Sequence, residues 1–472
     1  MDNLKQIKNP YLPSWEYVPD GEPHVFGDRV YVYGSHDRFN GALYCMKDYV
    51  CWSAPVDDLG DWKYEGVIFR KDQDPENADL QGNLYAPDVT VGPDGRYYLY
   101  YVLSKWGCVS VAVCDEPAGK YEFYGYVHYE DGTLLGNAEG DEPQFDPGVL
   151  TEGDRTYLYT GFCGNGDMSR HGAMATVLGP DMLTVIEKPE FIVPGACYSA
   201  GTKFEGHAFF EAPSIRKKDD TYFFVYSSQV CHEMAYATSK NPTKGFEYRG
   251  VLVSNGDLNI SSYKPAEKPT CYCANNHGGM VKVKDDWYIF YHRHTNGTNY
   301  SRQGCFEKLR ERADGFFDQV EITSCGGIST PLRGRGEYPA YLACNLFSPD
   351  DVTYVPWSGW MSDKYQKITQ DGGDGEVCVG YITNIRPGNI TGFKYFDCKG
   401  IKKITISTRG YISGAMEIRT GWDAAPIGSI PVSTSNEWMD HSAEIAVPDG
   451  IQALYFTYNG DGYMQFRSFT LE

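Results

Sequence analysis

One hairpin pattern recurs five times along this chain, and that recurrence constrains the fold more than any other feature. Each copy runs from a polar residue through an apolar alternation to a Gly or acidic turn, then into an aromatic strand. The copies are "DGEPHVFGDRVYVYGS" from Asp20, "DVTVGPDGRYYLYYV" from Asp88, "DPGVLTEGDRTYLYTG" from Asp146, "EAPSIRKKDDTYFFVYSS" from Glu211 and "HGGMVKVKDDWYIFYHRH" from His277. Turns of the type GD, DG or DD between period-2 runs mark each copy as a β-hairpin. The turns recur every 60–66 residues, enough for a four-stranded sheet with its loops. Five such sheets set radially make a five-bladed β-propeller, which limits exposed strand edges by repetition. Composition agrees: 38 Tyr and 52 Gly suit strands and tight turns better than helical bundles.

The blade pattern stops near residue 326. The stretch 326–362 reads as a connector. Short strands return over 363–472, among them "EVCVGYITNI", "KKITISTRG" and "IQALYFTYNG", with Gly/Asp turns that suit a β-sandwich. The expectation is therefore an all-β chain, with a five-bladed β-propeller over 1–325 followed by a sandwich.

Register decides which residues meet. In four of the five copies the leading polar residue stands eight positions before the acidic turn residue; Asp88 stands six before Asp94. Equivalent starts of innermost strands converge at one mouth of a propeller's channel. Asp20, Asp88, Asp146, Glu211 and His277 should then surround one small volume. Carboxylates crowded there repel one another and raise at least one pKa.

Paired carboxylates between aromatic walls suit glycoside hydrolysis, in which one carboxyl protonates the leaving oxygen and another activates water or attacks directly. Glu211 reads as the acid, because Phe209, Phe210, Ala212 and Pro213 favour its neutral form. Asp20 reads as the base, with Gly21 leaving room for water, and Asp146 as the charge that orients the acid. Glu22 competes for the base role, since strand alternation puts it on the same face as Asp20. Trp15, Trp106 and Phe39 are candidate sugar-stacking walls.

These segments resemble glycoside hydrolase family 43, whose members are five-bladed inverting enzymes acting mainly on arabinofuranosides and xylosides. The carriers are "NPYLPSWEYVPDGEPHVF", "YAPDV", "FDPGVL", "FFEAPSI" and "NNHGGMV", and the likeness spans about residues 9–325. It implies Asp20 as general base, Asp146 as the residue tuning the acid, and Glu211 as general acid. It further implies substrate contacts from Asp88, His277 and Arg302. His277 resembles a fifth-blade histidine that holds water or a calcium ion, so a structural calcium is implied, though no cofactor for the chemistry. At the first motif the family often has Asp-Pro, whereas this chain has Asp20-Gly21-Glu22-Pro23. The chain's end, "IQALYFTYNGDGYMQFRSFTLE", resembles carbohydrate-binding module family 6; a domain that only buttresses the propeller is the other reading.

The expected activity is exo-hydrolysis of terminal α-L-arabinofuranosyl or β-D-xylosyl residues from oligosaccharide or polysaccharide substrates. The rivals are a five-bladed glycoside phosphorylase, a retaining fructan-acting hydrolase (whose "NDPNG"-type start is absent) and a non-catalytic sugar-binding propeller. A net charge of −21 argues against nucleic acid or an anionic membrane as partner. The start "MDNLKQIKNP" lacks a secretory pattern, and the fourteen cysteines are scattered without CxxC pairs. Reduced thiols and a cytoplasmic location are the expectation.

Overall fold

The computed structural model describes residues 4–349 and 364–472. Four four-stranded antiparallel sheets follow one another, beginning at Glu22–Phe26, Asp88–Val91, Gly148–Glu152 and Phe209–Lys218, each with its strands in sequence order. A fifth sheet begins at Met280–Val283 and has three strands, ending at Arg302–Lys308.

Alternation explains why the sheets stack radially. In Tyr97–Val102, Tyr98 and Tyr100 join a core shared with the third blade, including Leu158 and Leu178. Leu99 and Tyr101 point the other way, into a core with Tyr33 and Tyr49 of the first. The same split recurs in Thr221–Ser228: Phe224 and Tyr226 face blade three, while Phe223 and Val225 face blade five. Every blade is buried on both faces, which the two-sided apolar patterning requires.

The fifth blade departs from the expected four strands. After Lys308 the chain turns into a small separate pairing of Arg310–Glu311 with Phe317–Asp318, and Val320 bridges to Val253 in blade four. The open edge is sealed by the N-terminal segment instead. The Tyr11 N–H donates to the Gly304 carbonyl at 3.3 Å and the Asn9 N–H to the Ser324 carbonyl at 3.0 Å. The Asn9 side chain also donates to the carbonyls of Phe306 and Thr323 and accepts from the Phe306 N–H. Gly21 and Gly278 bridge blades one and five.

The C-terminal unit is a nine-stranded sheet that curls around its own core of Phe393, Phe456, Phe466 and Phe469. Its boundary lies earlier than the patterning indicates. Leu332–Arg333, Gly336–Pro339 and Asn345–Phe347, all inside the expected connector, pair into this sheet. Their strands are two to four residues long, too short for alternation to register. The rest of the expected connector, 350–362, lies outside the described residues. Among the described residues no helix is long and apolar enough to cross a membrane.

Candidate active site

At one mouth of the channel a cavity of about 510 Å³ is lined by Asp20, Asp146, Glu211, His277 and Arg302. Its aromatic wall is Tyr44, Tyr85, Phe145, Phe162 and Phe210. Four of the five leading polar residues thus meet, because each stands eight positions before its hairpin's acidic turn residue and so at one level of the channel.

The backbone there is unusual. Asp20 has φ 56°, Asp146 φ 45° and Ala212 φ 64°. Left-handed backbone is tolerated by Asp but costs an Ala about 1–2 kcal/mol. Such strain concentrates where a site needs a side chain aimed off the regular pleat. Here it coincides with a register shift around Glu211, so the bulged strand swings that carboxyl toward the cavity.

Asp20 is held by an extensive network. The Arg302 guanidinium donates to Asp20 Oδ1 at 2.7 Å and forks onto Asp37 at 2.9 and 3.0 Å. Arg302 is 2 % exposed and Asp37 fully buried. His292 Nε2 lies 2.7 Å from the Asn275 carbonyl, which can only accept, so that nitrogen carries a proton. Its Nδ1 lies 3.2 Å from Asp20 Oδ1. Burial alone would raise the Asp20 pKa, but the Arg302 charge outweighs it, and the carboxyl stays well below the usual range. Glu211 moves the opposite way. Desolvation, reinforced by the Asp20 charge, pushes its carboxyl up to about 8. Asp146 is also raised by burial and by the charges of Glu211 and Asp20. His277, whose Nδ1 lies 3.6 Å from Asp146 Oδ2, is lowered by burial to about 4 and is neutral at pH 7. The cavity therefore sets an ionised carboxylate near a protonated carboxyl, the arrangement that acid–base glycoside cleavage uses.

Two residues on the same face as Asp20 or in its register lie deeper. Glu22 is 1 % exposed and accepts from Ser214 Oγ at 2.9 Å and Arg216 Nη2 at 2.8 Å. Asp88 is fully buried, lies 2.6 Å from His24 Nε2 and accepts the Val149 N–H at 2.8 Å. Neither lines the cavity. The substrate contact expected of Asp88 is corrected accordingly: its carboxylate links blades two and three. Its copy of the hairpin is two residues shorter before the turn, which places it one layer down the channel.

Gly21 likewise has a different reason from the one expected. A Cβ there would meet Val32 Cγ1 at 3.0 Å and the Tyr11 hydroxyl at 3.3 Å, inside the packed body. The three expected stacking aromatics are absent from the lining. Phe39 stacks on Tyr17 at 5.5 Å, Trp106 meets Tyr126 edge-on at 4.8 Å, and Trp15 lines a separate surface depression. The actual wall had a readable signal in part: Phe145 and Phe210 immediately precede Asp146 and Glu211, and Tyr85 opens "YAPDV". Asp37, His292 and Tyr44 carried no such mark.

Among the described residues, Glu22, His24 and Asp88 are the one group of three or more His, Cys, Asp or Glu side chains whose ligand atoms lie close enough to share an ion. Arg216 Nη2, 3.2 Å from His24 Nε2 as well as bonded to Glu22, already sets a positive charge there. His277 is not part of that group.

Residues 7–317 match Glycosyl hydrolases family 43. The chain belongs to that family. A xylosidase/arabinosidase of Thermoclostridium stercorarium is 66% identical over 99% of each chain. A xylosidase/arabinosidase of Bacteroides ovatus is 28% identical, over 66% of this chain and 97% of its own. The fold of both units resembles the crystal structure of a family 43 arabinoxylan arabinofuranohydrolase from Bacillus subtilis in complex with cellotetraose. That likeness has TM-score 0.53 and 20% identity, over 99% of each chain. The chain is thus a glycoside hydrolase, and hydrolysis in this family requires no cofactor.

Proposed function

We propose that this glycoside hydrolase is an inverting exo-enzyme that releases terminal α-L-arabinofuranosyl or β-D-xylosyl residues. The observation that carries the reading is the opposed protonation of Asp20 and Glu211 at one cavity. Asp20 takes a proton from water as the water oxygen bonds to the anomeric carbon. Glu211 gives its proton to the departing glycosidic oxygen as the carbon–oxygen bond breaks. Desolvation and the Asp20 charge hold Glu211 protonated, Asp146 shares its titration with Glu211, and His277 orients Asp146. Arg302 keeps Asp20 ionised.

Exo action is supported by the filled channel beneath the cavity, where Glu22, His24, Asp88 and Arg216 occupy the axis. The choice of pentosyl groups is supported by the names of the two relatives. No disulfide joins the described cysteines, which supports a reducing, cytoplasmic compartment and short oligosaccharide substrates. The test is turnover of 4-nitrophenyl α-L-arabinofuranoside and β-D-xyloside with the product anomer read by NMR. Inversion is expected, with loss of turnover in Asp20→Asn on these glycosides and in Glu211→Gln on oligosaccharides with poor leaving groups. Retained configuration, or full turnover in both variants, would overturn the assignment.

A further inference from the structure

The loop 34–48, between Arg29–Tyr33 and Tyr49–Pro55, carries the lining residues Tyr44 and Cys45 and the buried Asp37. It contains no strand or helix, so its shape depends on its ties. The base is tied to the propeller. His36 Nε2 lies 2.8 Å from Glu16 Oε1, Asp37 holds Arg302, and the Tyr44 carbonyl accepts from Asn83 Nδ2 at 3.0 Å. The outer arm, which includes Leu43 at 57 % exposed, is held differently.

Asp374 of the C-terminal unit bonds this arm directly, Tyr17 and Asn296 of the propeller link it to residues 368–370, and the Asn40 N–H donates to Ser301 Oγ at 3.2 Å. Asp374 Oδ1 accepts the Phe39 N–H at 2.8 Å, and its Oδ2 lies 3.4 Å from Lys47 Nζ. Tyr17, on which Phe39 stacks, donates to Gln370 Oε1 at 2.7 Å. Asn40 accepts from Asn296 Nδ2 at 3.3 Å, and Asn296 in turn bonds the Ile368 carbonyl and Thr369 Oγ1. The Asp374 carboxylate therefore joins the two arms of the loop, at residues 39 and 47, on either side of Tyr44 and Cys45.

We propose that Asp374 is a positioning residue of the active site. It clamps the loop so that Tyr44 stays 4.9 Å from the Arg302 guanidinium and edge-on to Tyr300 at 4.7 Å, which shapes the cavity wall beside Asp20. The C-terminal unit thereby forms part of the active site rather than a separate appendage. Attachment of the unit does not depend on Asp374, because a large apolar core running from Tyr272 to Phe469 spans the junction. A charge-assisted bond to a backbone N–H is roughly twice as strong as a neutral one, so this contact suits a clamp.

The proposal rests on the cavity being the site of turnover, so its test has one readout that does not. Hydrogen exchange is followed in the full chain for Asp374→Ala, Asp374→Asn and Lys47→Met, alongside kcat and KM on 4-nitrophenyl glycosides. Losing one net hydrogen bond of about 1 kcal/mol corresponds to about a fivefold change. Asp374→Ala is expected to speed exchange in 38–46 by at least that factor and to raise KM about fivefold with kcat little changed. Asp374→Asn, which still offers an acceptor to Phe39, should restore most of both. Unchanged exchange in 38–46, unchanged KM, or loosening across the whole C-terminal unit would each overturn the clamp. If Asp374→Ala does not fold, Lys47→Met tests it from the propeller side, and unchanged exchange there would overturn it equally. An inactive natural protein would instead refute the functional reading and leave exchange to decide the clamp.

Discussion

Glu211 should make this protein less stable at the pH where it works. Its carboxyl has an ordinary value of 4.5 and is pushed up to about 8 in the fold, chiefly by desolvation. A raised carboxyl contributes stability that is fully present below 4.5 and is lost as pH rises through about 8. Between those values the unfolded chain ionises Glu211 freely while the folded chain resists. The gap corresponds to about 5 kcal/mol for an isolated group. Titration shared with Asp146 and water in the cavity reduce the measurable part to about 2–3 kcal/mol. Glu211→Gln replaces the neutral acid by a neutral amide of the same shape. It should match the natural protein near pH 4.5 and exceed its stability by about 2–3 kcal/mol at pH 8.5. Urea unfolding across that range, followed by tryptophan fluorescence, measures the difference. The same variant should lose about 10²–10⁴ in kcat/KM on substrates with poor leaving groups. The basic limb of the natural profile should fall near pH 8. Parallel pH–stability curves for the two proteins would refute the claim that the fold holds this proton.

Arg302→Lys replaces a fork serving two buried carboxylates with a point charge. The acid limb of kcat/KM should move to higher pH, because one ammonium cannot bond Asp37 and Asp20 together as the fork does, and Asp20 is left less well paired; an unmoved limb in a pH-rate profile would contradict the network. Asn9→Ala removes the bonds sealing blade five and should cost about 3 kcal/mol in denaturant unfolding, since buried partners are left unmet. Lys394→Met strands Asp257 and Glu321, which the fully buried ammonium approaches at 3.1 and 3.2 Å. Breaking that buried group should cost about 3–5 kcal/mol, seen as a lowered midpoint in calorimetry.

What the amino-acid sequence determined by itself was periodic. Hairpins of constant spacing dictated the blades, two-sided aromatic strands dictated their stacking, and a constant offset from each turn brought Asp20, Asp146, Glu211 and His277 to one mouth. Offsets of this kind are local, set within a dozen residues by strand pitch and turn type, so they survive in the linear pattern. Depth and surroundings did not. Asp20 and Glu22 share a face, and only the assembled channel separates a residue lining the cavity from one sunk beneath it. Arg302 reaches Asp20 across 282 positions, and Asp374 reaches Phe39 across 335. Contacts at that range leave no periodic trace, because they depend on how loops from different blades and the C-terminal sheet pack after the propeller has closed. The tertiary structure alone therefore decided how deep each carboxylate sits, what keeps Asp20 ionised, and that the second unit reaches the active-site loop.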